Sequence, residues 1–174
     1  MAATLSQPGD SPAGVPAGSV LILGIGNVLL RDEGAGVRVV EALRRGPLPE
    51  RCVAVDGGTL GIELLPLLQE CSGLVLVDAA RFGGAAGEVH VFRGGEVAGS
   101  YGGHLSPHQA GAGDLVAVAR LLGVMPERCA LVGIEPEATE FGLDLTPAVE
   151  GGVARAVELA REEAARFARE ASHA

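Results

Sequence analysis

The chain has 174 residues, 48% of them hydrophobic, with a formal net charge of −9 and a pI near 4.9. That is one domain's worth of chain, able to bury roughly two-thirds of the surface its unfolded form exposes without help from a metal or disulfide. The acidity argues against nucleic acid and anionic membrane as partners, and no window is apolar for the ~18 residues that a membrane span needs.

Three cysteines, Cys52, Cys71 and Cys129, lie far apart and form no CxxC pair, a pattern expected of reduced thiols in a cytoplasmic protein. Residues 1–19 are rich in Ala, Pro, Gly and Ser, lack the charged and apolar regions of a signal peptide, and are expected to form a disordered leader. Residues 20–170 are expected to make a single α/β domain. Its first unit is the stretch VLILGIGNVLLRDEGAGVRVV. The apolar run Val20–Ile25 predicts a strand, Gly24-Ile25-Gly26-Asn27 a turn, and the spacing of Val37, Val40 and Leu43 a helix from Glu33 to about Arg45. Asp32 fits as its N-cap, with Glu33 in a first turn where the helix dipole favours negative charge.

Pro47 and Pro49 end that helix, and Cys52–Val55 predicts a second strand ending at Asp56, with Gly57-Gly58-Thr59 as a turn. Thr59 is placed to cap a helix from about Gly61 to Glu70, bent or delayed by Pro66. Leu74–Val77 is fully apolar, which implies a strand buried on both faces, and it ends at Asp78. Gly83–Gly87 is too short and glycine-rich for a crossover helix, so the next strand, Glu88–Arg93, is expected to lie antiparallel to its predecessor. Gly94–Gly103 reads as a loose loop. Ser106-Pro107-His108-Gln109 combines an N-cap, a first-turn proline and a capping box, opening a helix to about Leu122. Cys129–Ile134 predicts the last strand, followed by Glu135-Pro136-Glu137. Thr146-Pro147 then starts an alanine-rich helix to about Arg169, whose charged residues look like a solvated face.

This order describes a three-layer α/β/α sandwich with a mostly parallel five-stranded sheet and one antiparallel strand. In such sheets the loops that lead into helices gather at the carboxyl edge, so Glu33, Asp56, Asp78 and His108 share one rim. Two carboxylates and an imidazole suit a divalent transition metal with open positions, or an acid–base site. The same residues also serve simpler purposes: Asp56 and Asp78 as caps of the loops that follow them, and His108 as a hydrogen-bonding group at a helix end. A dinucleotide site is disfavoured, because the third small residue of G-x-G-x-x-G is replaced by Leu29 and an acidic pair at the turn would repel a pyrophosphate. His90 alternates with Val89 and Val91 and reads as a surface residue, while His104 precedes His108 across a proline and a cap, so the two are not an i, i+4 metal pair. A Gly-x-Ser-x-Gly elbow is absent, which argues against a serine hydrolase.

Taken together, the blocks Gly24-Ile25-Gly26-Asn27, Asp32-Glu33-Gly34, Asp56-Gly57-Gly58-Thr59, Val77-Asp78-Ala79 and Leu105-Ser106-Pro107-His108-Gln109 resemble those of the [NiFe]-hydrogenase maturation proteases. Leu131–Pro136 and Gly142–Pro147 fit the tail of the same family. The resemblance implies an endopeptidase that removes a C-terminal extension from the hydrogenase large-subunit precursor once nickel has been inserted. It assigns the metal-contacting roles to Glu33, Asp78 and His108, with nickel brought by the precursor. Glu33 or Asp78 is then the candidate general base, and Asp56 is placed near the substrate. A non-catalytic nickel-checking chaperone and a nucleotide-binding α/β domain are the competing readings. A monomer is expected. Glu135, at the exit of the last strand, is a further carboxylate that either tunes the site or lies outside it.

Overall fold

The computed structural model describes residues 15–101 and 111–173. Five strands, β1 (Val20–Ile25), β2 (Cys52–Gly58), β3 (Gly73–Ala79), β4 (Val89–Arg93) and β5 (Cys129–Ile134), form one sheet in the order β2-β1-β3-β5-β4. The first four in that order are parallel, and β4 runs antiparallel to β5. Among the described residues, five helices cover it: α1 (Ala35–Arg44), α2 (Leu65–Glu70), α3 (Gly95–Tyr101), α4 (Ala112–Leu121) and α5 (Pro147–Ala171). This is the expected α/β/α sandwich.

The apolar runs of β1 and β5 are buried along their whole length, because each residue of a central strand faces one or other of two helical layers. On one face Leu21, Leu23, Leu76 and Leu131 pack with Leu68 of α2, Val97 of α3 and Leu115 of α4. On the other, Ile22, Val75, Val77 and Val132 pack with Val40 and Leu43 of α1 and Ala160 and Phe167 of α5. Thr146 caps α5 by accepting from the Val149 N–H, with Pro147 in its first turn, as the sequence predicts.

Four expectations change. β4 is antiparallel, but its partner is β5, not its predecessor: β5 inserts between β3 and β4. Gly95–Tyr101 is a helix rather than a loop, since Val97 docks in the core and Glu96 accepts from the Arg93 N–H to start the turn. Thr59 caps nothing. A short 3-10 turn, Gly61–Leu64, precedes α2, which begins where Pro66 permits it. Within the residues assigned to the leader, Val15 is buried in the core and Gly18 and Ser19 accept hydrogen bonds from Ser72, so the segment from Val15 onward is packed; residues 1–14 lie outside the described residues.

Candidate active site

Glu33 belongs to a 3-10 turn, Arg31–Gly34, between β1 and α1. Two glycines set its position. Gly26 has φ +144°, and a Cβ there would overlap the Glu33 carbonyl oxygen. A Cβ at Gly36 would overlap the carbonyl oxygens of both Ile25 and Val77, so the start of α1 lies directly on the ends of β1 and β3. That close approach brings the turn carrying Glu33 beside Asp78, the penultimate residue of β3.

Glu33 and Asp78 line one cavity of about 990 Å³, whose walls include Asn27 and Leu30 from the first turn, Phe82 and Phe92, Tyr101 from α3 and Pro136 after β5. The Tyr101 hydroxyl donates to Asp78 Oδ2 at 3.3 Å. Burial pushes the Asp78 pKa up to about 8, and the charge of Glu33 adds to the rise; hydrogen bonds from Tyr101 and the Ala79 N–H only partly oppose it. Burial and the neighbouring carboxylate also hold the Tyr101 phenol well above its ordinary pKa, so it remains a neutral donor. A cation between Glu33 and Asp78 would relieve both penalties on the ionised aspartate, so this pair fits a divalent ion. Among the described residues, no three His, Cys, Asp or Glu side chains meet closely enough to hold an ion on their own. His104 and His108 lie outside the described residues.

Asp56 stands apart. Its Cα pairs with Gly24 at the same sheet edge, yet it is exposed, does not line the cavity, and accepts from the Gly58 N–H at 2.9 Å. Side chains alternate along a strand, and Asp56 is two residues beyond Ala54, which packs on the α1 and α5 side. Asp78 has the opposite parity and faces α3. Glu135 is buried and accepts from the N–H groups of Phe82 and Gly84, so it holds the β3–β4 connection that forms one wall of the cavity. Asp32 is no helix cap. Fully buried, it accepts from the backbone N–H groups of Glu137, Ala138 and Thr146 and from the Thr146 hydroxyl, tying the Glu33 turn to the segment after β5. His90 is exposed on the edge strand, as expected, against the rings of Phe82 and Phe92.

Tyr101 was not marked by the sequence, because it lies in a glycine-rich stretch. The four-residue spacing of Val97 and Tyr101, which puts both on one helical face, was the available signal.

The sequence profile of the hydrogenase maturation protease family matches residues 37–163, a span that includes Asp56, Asp78 and His108 and begins just after Glu33. The chain is 42% identical over 147 residues to the hydrogenase expression/formation protein HupD of Rhodobacter capsulatus, covering 83% of this chain and 70% of that one. It is 40% identical over 141 residues to the hydrogenase 2 maturation protease of Escherichia coli K12, covering 80% and 86% respectively. The solved structure of the hydrogenase maturating endopeptidase HybD from E. coli superposes with a TM-score of 0.73 at 39% identity, over 81% of this chain and 88% of that one. The matched span, the level of identity and the superposition agree: the chain belongs to the hydrogenase maturation protease family, and it is a peptide-bond hydrolase of hydrogenase maturation.

Proposed function

We propose that the protein removes the C-terminal extension of a [NiFe]-hydrogenase large-subunit precursor after nickel insertion, and that Glu33, Asp78 and His108 contact the nickel held by that precursor. The observation that carries this reading is the meeting of Glu33 and Asp78 in one cavity, from positions 45 residues apart in sequence. Burial, with the Glu33 charge adding to it, disfavours the ionised form of Asp78; a cation would offset that cost, and a precursor lacking the ion offers nothing that does. The nickel therefore acts as a gate: the loaded precursor binds with its scissile bond in the cavity, and the unloaded one does not. The described residues flanking the segment that contains His108, Tyr101 on one side and Gly111 on the other, both line this cavity, which supports assigning the imidazole to it.

Hydrolysis then needs a water to lose a proton as it attacks the scissile carbonyl. Asp114 of α4 also lines the cavity, but Glu33 and Asp78, which meet at the carboxyl edge of the sheet, are the carboxylates assigned to that step. Asp56 is exposed and does not line the cavity, so the proposal gives the proton transfer to the other two carboxylates.

The test is to incubate the purified protein with nickel-loaded and nickel-free precursor and weigh the large subunit by mass spectrometry. A shorter subunit only in the loaded sample is expected. No shortening in either sample would leave a chaperone that checks nickel without cutting. Glu33→Gln, Asp78→Asn and His108→Ala should each slow processing by at least about 100-fold while leaving the melting temperature at pH 5 close to wild type, because rim side chains make few core contacts. Full activity of His108→Ala would remove the imidazole from the site.

A further inference from the structure

Tyr101 is the final residue of α3, and it touches both α4 and β3 at the cavity wall. Its Cβ and ring lie against Gly113 of α4, where an added Cβ would come within 3.4 Å of the Tyr101 Cβ. Its hydroxyl reaches Asp78 Oδ2 on β3 at 3.3 Å. Seated by helix packing on one side, the phenol meets the carboxylate at a place chosen by the fold. We propose that Tyr101 is a positioning residue for Asp78: the phenol occupies one carboxylate oxygen, so that Asp78 presents itself to the precursor's ion in a single orientation. This rests on the assignment of Asp78 above. An aspartate has two torsions and two equivalent oxygens, and a carboxylate that ligates an ion is oriented by the hydrogen bonds its other oxygen accepts. The Ala79 N–H also binds the Asp78 carboxylate, but it belongs to the neighbouring residue of the same strand and cannot register the side chain against the opposite wall.

The test is Tyr101→Phe, which keeps the ring against Gly113 and deletes only the hydroxyl. Two quantities are read on the full chain: the affinity for Ni²⁺ alone, by calorimetric titration, and kcat and KM for nickel-loaded precursor. Removing such an orienting partner typically costs about tenfold or more in metal affinity or rate, and a contact of 3.3 Å belongs at the lower end. We expect Ni²⁺ affinity and kcat to fall about tenfold in Tyr101→Phe, with KM and the melting temperature little changed. In Asp78→Asn the added Tyr101→Phe change should have no further effect on either. Wild-type Ni²⁺ affinity and kcat in Tyr101→Phe, or an equal additional loss in the Asp78→Asn background, would overturn the proposal while leaving the assignment of Asp78 intact. Wild-type processing by Asp78→Asn itself would overturn both.

Discussion

Asp32 and Asp78 are two aspartates at the same edge of one sheet, and their surroundings make them opposites. Around Asp32, burial favours the neutral acid, but three backbone N–H groups and one hydroxyl outweigh it and hold the pKa below the ordinary value. Around Asp78, burial wins, Glu33 adds its charge, and the carboxyl titrates near 8. What separates them is the balance of donors against burial: the four aimed at Asp32 outweigh its desolvation, and the two aimed at Asp78 do not. A buried carboxylate surrounded by donors is a structural tie. One with too few donors and a like charge beside it is held in reserve for a cation or a proton.

The largest expected effect comes from breaking the tie. Asp32→Ala strands three N–H groups and a hydroxyl that have no other acceptor in the clamp, and should lower stability in urea by roughly 3 kcal/mol or more. Processing should fall with it, since the same contacts hold the Glu33 turn against the segment that carries Pro136 to Thr146.

The second effect concerns pH. Because the folded-state pKa of Asp32 lies below 3.8, its contribution is present above that value and is lost as the pH falls through the folded pKa. Asp78 has the reverse sign. Its folded pKa of about 8 lies above the unfolded 3.8, so the folded protein keeps a proton that the unfolded chain releases, and stability declines as pH rises across that window. Thermal melts at pH 5 and pH 8.5 should therefore show a larger drop for the wild type than for Asp78→Asn. Equal drops would mean that Asp78 ionises normally in the folded state.

The smallest effect is expected outside the clamp. Arg31 donates to Glu140 at 2.9 Å, but the pair is solvent-accessible, and Glu140→Gln should leave the urea midpoint where it is. A large loss there would mean that the ion pair, and not Asp32, holds the segment after β5.

Much of this architecture is legible along the chain. The apolar runs of β1, β3 and β5, the Thr146-Pro147 start of α5 and the turn at Gly26 each express a preference that neighbouring residues enforce on their own. The convergence of Glu33 and Asp78 also follows from strand order, because parallel strands with short connections deliver their exits to one edge. Asp56 shows where that reasoning stops. Strand order brought it to the same edge, but the pleat turned it to the other face, and a two-residue periodicity read over a strand that ends in two glycines gives no anchor for deciding which face that is. The helix α3 was hidden for a related reason: glycines lower local propensity, and only Val97 in the core and Tyr101 over Asp78 make the turn worthwhile.

By itself, the order of residues determined which segments are strands and helices, how they layer, and which acidic residues lie at strand exits, since those depend on periodicity and on contacts a few residues long. Only the tertiary structure decided that Asp32 is a structural tie held ionised by its donors and that Asp78 is a carboxyl whose pKa is raised. The donors that neutralise Asp32 come from residues 105 to 114 positions away, and the phenol that meets Asp78 comes from 23 positions away on another helix. A carboxylate's chemistry depends on the groups that surround it in space, and those become its neighbours only when the chain has folded.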